Sequence, residues 1–285
     1  MAAQPQLDRA AAVALVIQSQ KELAALPQVV FKVMEITGTD HGSSAELERA
    51  IVIDPGFSAK LLTIANSATF SLPKQVTSIK EAVMYIGVRQ VRQTAMAVGV
   101  FDMFLGKTDA ESKRRRAWWR HSVDTATAAR ALASEFGWAD PNEAYTAGLL
   151  HWCGKTVLDK SAPGEYDKVI QLVDKGVAVW QAESAVFGCD HRDIALACAS
   201  NWGFPVGLVG GLKYFTRPDD AKIPGELAAV VAVSSQIADY ACNGRGKDSN
   251  WAAWAGEALR IPAEMTERII ERGLAAITAG SQLHF

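Results

Sequence analysis

The sequence predicts an all-α protein, and three observations carry that expectation. Apolar residues recur at spacings of three and four, the period of one buried helix face. Helix-start signals are dense: Asp54-Pro55 and Asp140-Pro141 each place a capping carboxylate before a proline at the first helical position. Alternating apolar and polar runs, the mark of half-buried strands, are scarce.

The elements follow in order. Residues 7–26 are rich in alanine and long side chains and predict a first helix, interrupted by Pro27. Val29, Val30, Val33 and Met34 resume a helical stripe up to Gly38. Ser43 and Glu46 have capping-box spacing, with Leu47, Ala50 and Ile51 on one face behind them. After Asp54-Pro55, Phe57, Leu61, Ile64, Ala65 and Ala68 mark a buried face. Ser78 and Glu81 form another capping pair, ahead of Ile79, Ala82, Val83 and Ile86, and Gly87 is expected to stop that helix before Val88, Val91, Ala95 and Val98 begin the next. Residues 21–104 thus read as a compact helical lobe.

Residues 106–113 are polar and read as the lobe junction. Residues 118–136 predict a long helix. Asp140-Pro141 opens the next, with Ala144, Ala147, Gly148 and His151 on one stripe; small residues there imply close helix approach. Residues 165–175 predict a helix ending at Gly176. Asp190 caps another that carries His191, Ile194, Ala195, Cys198 and Trp202 and closes at Gly203 and Pro205. Residues 225–243 form a long helix ending at Gly244, and two more lie around 251–259 and 262–279.

Composition narrows the function classes. The chain has 285 residues, 49% of them apolar, enough for a sizeable core. A net charge of -2 argues against a protein built to coat nucleic acid. No run of about 18 uninterrupted apolar residues predicts a membrane span. Residues 1–10 do not resemble a signal peptide. Cys153, Cys189, Cys198 and Cys242 lack Cys-x-x-Cys spacing and fit a reduced, cytoplasmic compartment.

The segment Asp54-Pro55-Gly56-Phe57-Ser58-Ala59-Lys60-Leu61-Leu62 with Ala65-Asn66-Ser67-Ala68 resembles the amino-terminal half of HDOD domains, the HD-related output domains of bacterial signalling proteins. Pro73, Val76-Thr77-Ser78-Ile79, Ala82-Val83 and Ile86-Gly87 continue the likeness. So do Trp119-Arg120-His121-Ser122, Ala147-Gly148-Leu149-Leu150-His151, Glu183 through Gly188 to His191, and Trp202 with Pro205. The resemblance spans residues 21–218, divided into an N-terminal helical lobe (21–105) and an HD-like lobe (114–218). Residues 1–20 would form an N-terminal helical extension, and residues 219–285 C-terminal helices completing or covering the HD-like lobe. It implies two packed helical lobes and a regulatory role in bacterial signal transduction.

It also assigns a site. Catalytic HD enzymes hold metal with a His, a His-Asp pair and a later Asp. By resemblance these positions are His121, His151 with Trp152, and Asp239; His191 matches a further histidine of two-metal relatives, and Tyr214-Phe215 stands where family members carry His-His. Trp152 replaces a carboxylate with an indole, which has an N–H donor and no lone pair for a cation. The expected site is therefore vestigial, with Trp152 filling the cavity and no metal or other cofactor. His121, His151, His191 and Asp239 alone would be an acceptable zinc set if Trp152 turned away. Each histidine can equally be a hydrogen-bonded core residue, and Asp239 can bond a neighbouring helix end. Lys155 and Arg120 are candidate ligand or phosphate contacts, with a surface ion pair the plainer reading of Lys155.

Lys113, Arg114, Arg115, Arg116 and Arg120 around Trp118 and Trp119 form the densest basic patch. Arginine with aromatics can grip nucleic acid. The preferred reading is a solvated helix start with inward tryptophans and an acidic neighbour, since cations oppose the dipole at a helix amino terminus. Arg89, Gln90, Arg92 and Gln93 read as another polar face. The expected function is non-catalytic signalling through an unknown protein partner or small ligand; the alternative is a divergent metal-dependent phosphohydrolase acting on a nucleotide or cyclic dinucleotide.

Overall fold

A computed structural model describes residues 8–19, 28–38, 43–67, 75–101, 104–202, 204, 206–215, 225–243 and 253–280. Among the described residues there are helices and connecting turns and no strand. The expectations placed on Pro27, Ala68, Pro73, Gly203, Pro205, Pro218, Gly244 and Trp251 lie outside them.

The amino-terminal lobe is built from α2 (Gln28–Thr37), α3 (Ser44–Val52), α4 (Pro55–Ala65) and α5 (Ile79–Phe101). The capping chemistry read from the sequence starts them. Ser43 accepts from the Glu46 N–H while Glu46 accepts from the Ser43 N–H, and Asp54 accepts from the Phe57 N–H. Each such cap contributes about 1 kcal/mol. Ser78 accepts from the Glu81 N–H, but Glu81 reaches back to the Thr77 N–H, one residue earlier than expected. Gly87 breaks the helix as expected: two helical arms, together α5, meet there at φ 79° and ψ 156°, a conformation open essentially to glycine alone. Asn66 closes α4, and its amide clamps the backbone of Val76 through both N–H and C=O, at 2.7 and 2.8 Å. Val30, Val33, Leu47, Ile51 and Leu61 fill the lobe's interior.

The second lobe is organised on α6 (Asp109–Phe136), capped by Thr108 and ended by Gly137 in the left-handed region at φ 69°. Trp119 joins the lobes: it is buried and packs on Phe101 and Phe104 with ring centroids 5.2 and 5.5 Å away. The expected solvated helix start holds for Lys113 and Arg116, which are exposed, but not for the two arginines between them. Arg115 is buried, with Nε 2.6 Å from Asp159 and a further bond to the Leu105 carbonyl, while Arg114 reaches Asp159 and Asp167. The acidic neighbour expected from the helix dipole is therefore present. The second polar face is solvated only in part: Arg89 is exposed, but Gln93 is buried and accepts from Arg130 of α6, and Arg92 donates to the Thr37 carbonyl.

Around α6 lie α7 (Pro141–Leu150), α8 (Cys153–Ser161), α9 (Glu165–Asp174), α10 (Val179–Phe187), α11 (His191–Asn201) and α12 (Val206–Tyr214). Asp140 caps α7 by accepting from the Asn142 and Glu143 N–H groups, and Asp190 forms a reciprocal box with Asp193 at α11. The expected close approach on the small-residue stripe is real: a Cβ on Gly148 would come within 2.7 Å of the Ala126 Cα. Gly154 is tighter still, because a Cβ there would fall on the His191 carbonyl oxygen. We expect Gly154→Ala to force α8 from α11 and cost about 1–3 kcal/mol in chemical denaturation. An unchanged midpoint would show slack in that contact.

α1 (Arg9–Ser19) packs on α8 and α11, and Arg9 pairs with Asp190 and Asp193 at 2.7 and 2.6 Å. On the far side, α13 (Glu226–Asn243) lies along α6 and α7, followed by α14 (Ala253–Ala258), a 3-10 turn (Ala263–Met265) and α15 (Thr266–Gly280). Val230, Val233, Ile237, Ile269 and Ile277 form the core there. No helix of the described residues is long and apolar enough to cross a membrane.

Candidate functional site

Five helices and one turn converge on one polar cluster. α6 supplies His121, the α7–α8 turn supplies His151 and Trp152, α8 supplies Lys155, α10 supplies Glu183, α11 begins at His191, and α13 supplies Ser235 and Asp239. Close packing at Gly148 and Gly154 brings α7 and α8 far enough in for this to happen. His121, His151, Lys155, Glu183 and His191 are all buried, whereas Trp152 and Ser235 are partly exposed and the Asp239 side chain is 47% exposed.

Trp152 covers His121. The two rings stack with centroids 3.6 Å apart, and the Lys155 ammonium sits 3.2 Å from the indole centroid, a cation–π contact. The surface ion pair expected of Lys155 is absent. The residue is 5% exposed, and among the described residues its ammonium meets no carboxylate at ion-pair distance. A lysine drawn inward onto an indole cannot reach a surface acid. Burial lowers its pKa to about 8 against the opposing pull of Glu183 and Asp239. Phe215 sets its edge against His151 at 5.3 Å.

The ring nitrogens can be assigned from their partners. His151 Nδ1 lies 2.6 Å from the Gly148 carbonyl, which only accepts, so Nδ1 carries the proton. His121 Nδ1 faces Asp239 Oδ1 at 3.2 Å, a charge contact that favours the proton on Nδ1; Asp239 does not bond a helix end, because its position on α13 faces α6. Burial lowers the pKa of both rings, most strongly for His151, which also feels His121 and Lys155. Neutral and protonated on Nδ1, both present a bare Nε2. Both lone pairs meet the Ser235 hydroxyl, at 3.1 Å from His121 and 3.4 Å from His151.

His191 belongs to a separate pair. Glu183 accepts from the His191 N–H at 3.0 Å, from its Nδ1 at 2.5 Å and from the Tyr166 hydroxyl at 2.5 Å. Burial pushes the Glu183 carboxyl up, but His191, Lys155 and Tyr166 together hold it at about 2. Arg120 is outside the cluster, with its side chain 60% exposed beside Asp124. Ser235 and the role of Glu183 were not read from the sequence. The available signal for Ser235 was its i, i+4 spacing to Asp239 on one predicted helix face.

Among the described residues, no three His, Cys, Asp or Glu side chains come together as a cation site.

The model of the HDOD domain family matches residues 23–218, well over half of the chain. The chain belongs to the HDOD family. A Treponema pallidum protein of uncharacterised function is 25% identical over 194 residues, which are 66% of this chain and only 37% of that relative. Among solved structures, an HDOD domain protein of unknown function from Geobacter sulfurreducens superposes with a TM-score of 0.68 at 24% identity, covering 94% of this chain and 98% of that one. A Shewanella amazonensis protein named as a candidate phosphohydrolase gives 0.73 at 24% identity over 95% and 98% of the two chains. One from Marinobacter aquaeolei, named as a candidate signal transduction protein, gives 0.77 at 19% identity over 97% and 65%. At these identities the superpositions establish the fold: two HDOD lobes, all α. The match takes in His121, His151, Trp152, Lys155, Glu183 and His191, whereas Ser235 and Asp239 lie beyond it.

Proposed function

We propose that this HDOD protein is a regulatory signalling component that performs no metal-dependent phosphoester hydrolysis and acts by binding a protein partner or a small ligand. One observation carries the reading: where catalytic relatives hold a metal between a histidine and the carboxylate after His151, the Trp152 indole lies flat on His121 under the Lys155 ammonium. A divalent ion gains from negative oxygen ligands and loses beside a fixed cation. Metal catalysis of hydrolysis needs that ion to acidify water and polarise phosphorus. The printed names of the Marinobacter and Shewanella structures point to the same two alternatives, signalling and phosphohydrolysis, and the chemistry of position 152 favours the first.

A small anionic ligand would find Lys155 as the cluster's cation. Its lowered pKa means the charged form is held at a cost, which an arriving carboxylate or phosphate would relieve. Phosphatase and phosphodiesterase assays with added manganese, iron or zinc are expected to give no turnover above the metal-only blank. Turnover that disappears in His151→Ala would overturn the reading and support a divergent phosphohydrolase.

A further inference from the structure

Serine alone is a weak nucleophile. It becomes reactive when a neutral base takes its proton and a third group holds that base in the right tautomer. Ser235, His121 and Asp239 have this arrangement: 3.1 Å from the hydroxyl to His121 Nε2, and 3.2 Å from His121 Nδ1 to Asp239 Oδ1. Ser235 and Asp239 are four residues apart on α13, so one helix face meets both nitrogens of one ring. The stacked indole and the burial of His121 fix that ring, while Ser235 and Asp239 on the facing helix are partly exposed.

A purely structural hydroxyl would account for this poorly. Ser235 has one proton, and two bare Nε2 lone pairs face it. It can donate to only one of them at a time, so the other keeps a lone pair able to take a proton.

We propose that Ser235 is a nucleophile that accepts an acyl group from an activated ester or thioester, with His121 as general base and Asp239 as the positioning residue. The Ser235 Oγ–carbon bond forms as the hydroxyl proton passes to His121 Nε2, and the carbonyl electron pair moves to oxygen, in the field of the Lys155 ammonium. On collapse, the carbon–oxygen or carbon–sulfur bond of the donor breaks, and the leaving alcohol or thiol takes the proton from His121. The products are acyl-Ser235 and the free alcohol or thiol. No metal, oxidant or reductant enters. This goes beyond the regulatory reading by giving the chain a covalent mark.

The test uses the full chain with a fluorophosphonate probe and with p-nitrophenyl acetate, read by peptide mass spectrometry. One adduct per chain is expected on Ser235, and none in Ser235→Ala. In Asp239→Asn the amide would donate to Nδ1 and impose the wrong tautomer, so the labelling rate should fall at least about tenfold. Asp239→Glu should restore part of it, which a merely structural role would not produce. Circular dichroism melts establish that each variant is folded. A folded wild type without a Ser235 adduct, labelling scattered over other residues, or Asp239→Asn labelling at the wild-type rate would overturn the proposal.

Discussion

Glu183→Ala is expected to be among the most destabilising single substitutions in this protein, by about 3–5 kcal/mol. The carboxylate is fully buried and accepts three bonds, from Tyr166 and from both N–H groups of His191. Removing it strands all three donors and leaves the Lys155 ammonium without its nearby counter-charge. At a few degrees per kcal/mol, the melting temperature should fall by roughly 10 °C. Glu183→Gln should fall between, because its carbonyl can still accept from His191 while the Tyr166 hydroxyl rotates to accept from the amide. The same group governs acid stability. Its folded pKa is depressed, to about 2 from 4.5, so its contribution is complete above the unfolded value and is lost as pH falls from about 4.5 through about 2. The amount is roughly 3 kcal/mol at 1.36 kcal/mol per unit. Denaturant titrations between pH 5 and pH 2 should show a steep loss in the wild type and a shallower one in Glu183→Gln. Parallel curves would refute the assignment.

The second large effect is expected at Arg115→Ala, again about 3–5 kcal/mol. Arg115 and Asp159 are both buried at an ion-pair distance of 2.6 Å, and the guanidinium also satisfies the Leu105 carbonyl at the end of the inter-lobe turn. Arg114 retains one oxygen of Asp159, which keeps the cost below that of a fully stranded carboxylate. Arg115→Met keeps the apolar stem and should lose less than alanine. A surface-like effect under 1 kcal/mol by chemical denaturation would show that the pair carries little weight.

These two sites also mark where the sequence stops speaking. Helix starts were legible because the signal is local: Asp54, Asp140 and Asp190 cap N–H groups two or three residues away. The approach of α7 to α6 was legible from the small residues at Ala147 and Gly148. The substitution at position 152 was legible from resemblance alone. By contrast, Arg115 and Lys155 looked like surface cations, since nothing within a few residues says that Asp159 or an indole will cover them. Ser235 was missed for the same reason. Its hydroxyl matters only because α13 is laid against α6 and α7, bringing Ser235 to His121 and His151 across 114 and 84 residues of sequence. Gly87 belongs with the local signals: a glycine between two apolar stripes marks the break that the structure shows at φ 79°.

The central claim is that an indole and an ammonium stand where a catalytic ion would have to bind. Metal analysis of the purified chain, after incubation with excess manganese, iron or zinc and removal of free ion, addresses it directly. Well below one equivalent per chain is the expected result. One or two tightly held equivalents, lost in His151→Ala, would contradict it.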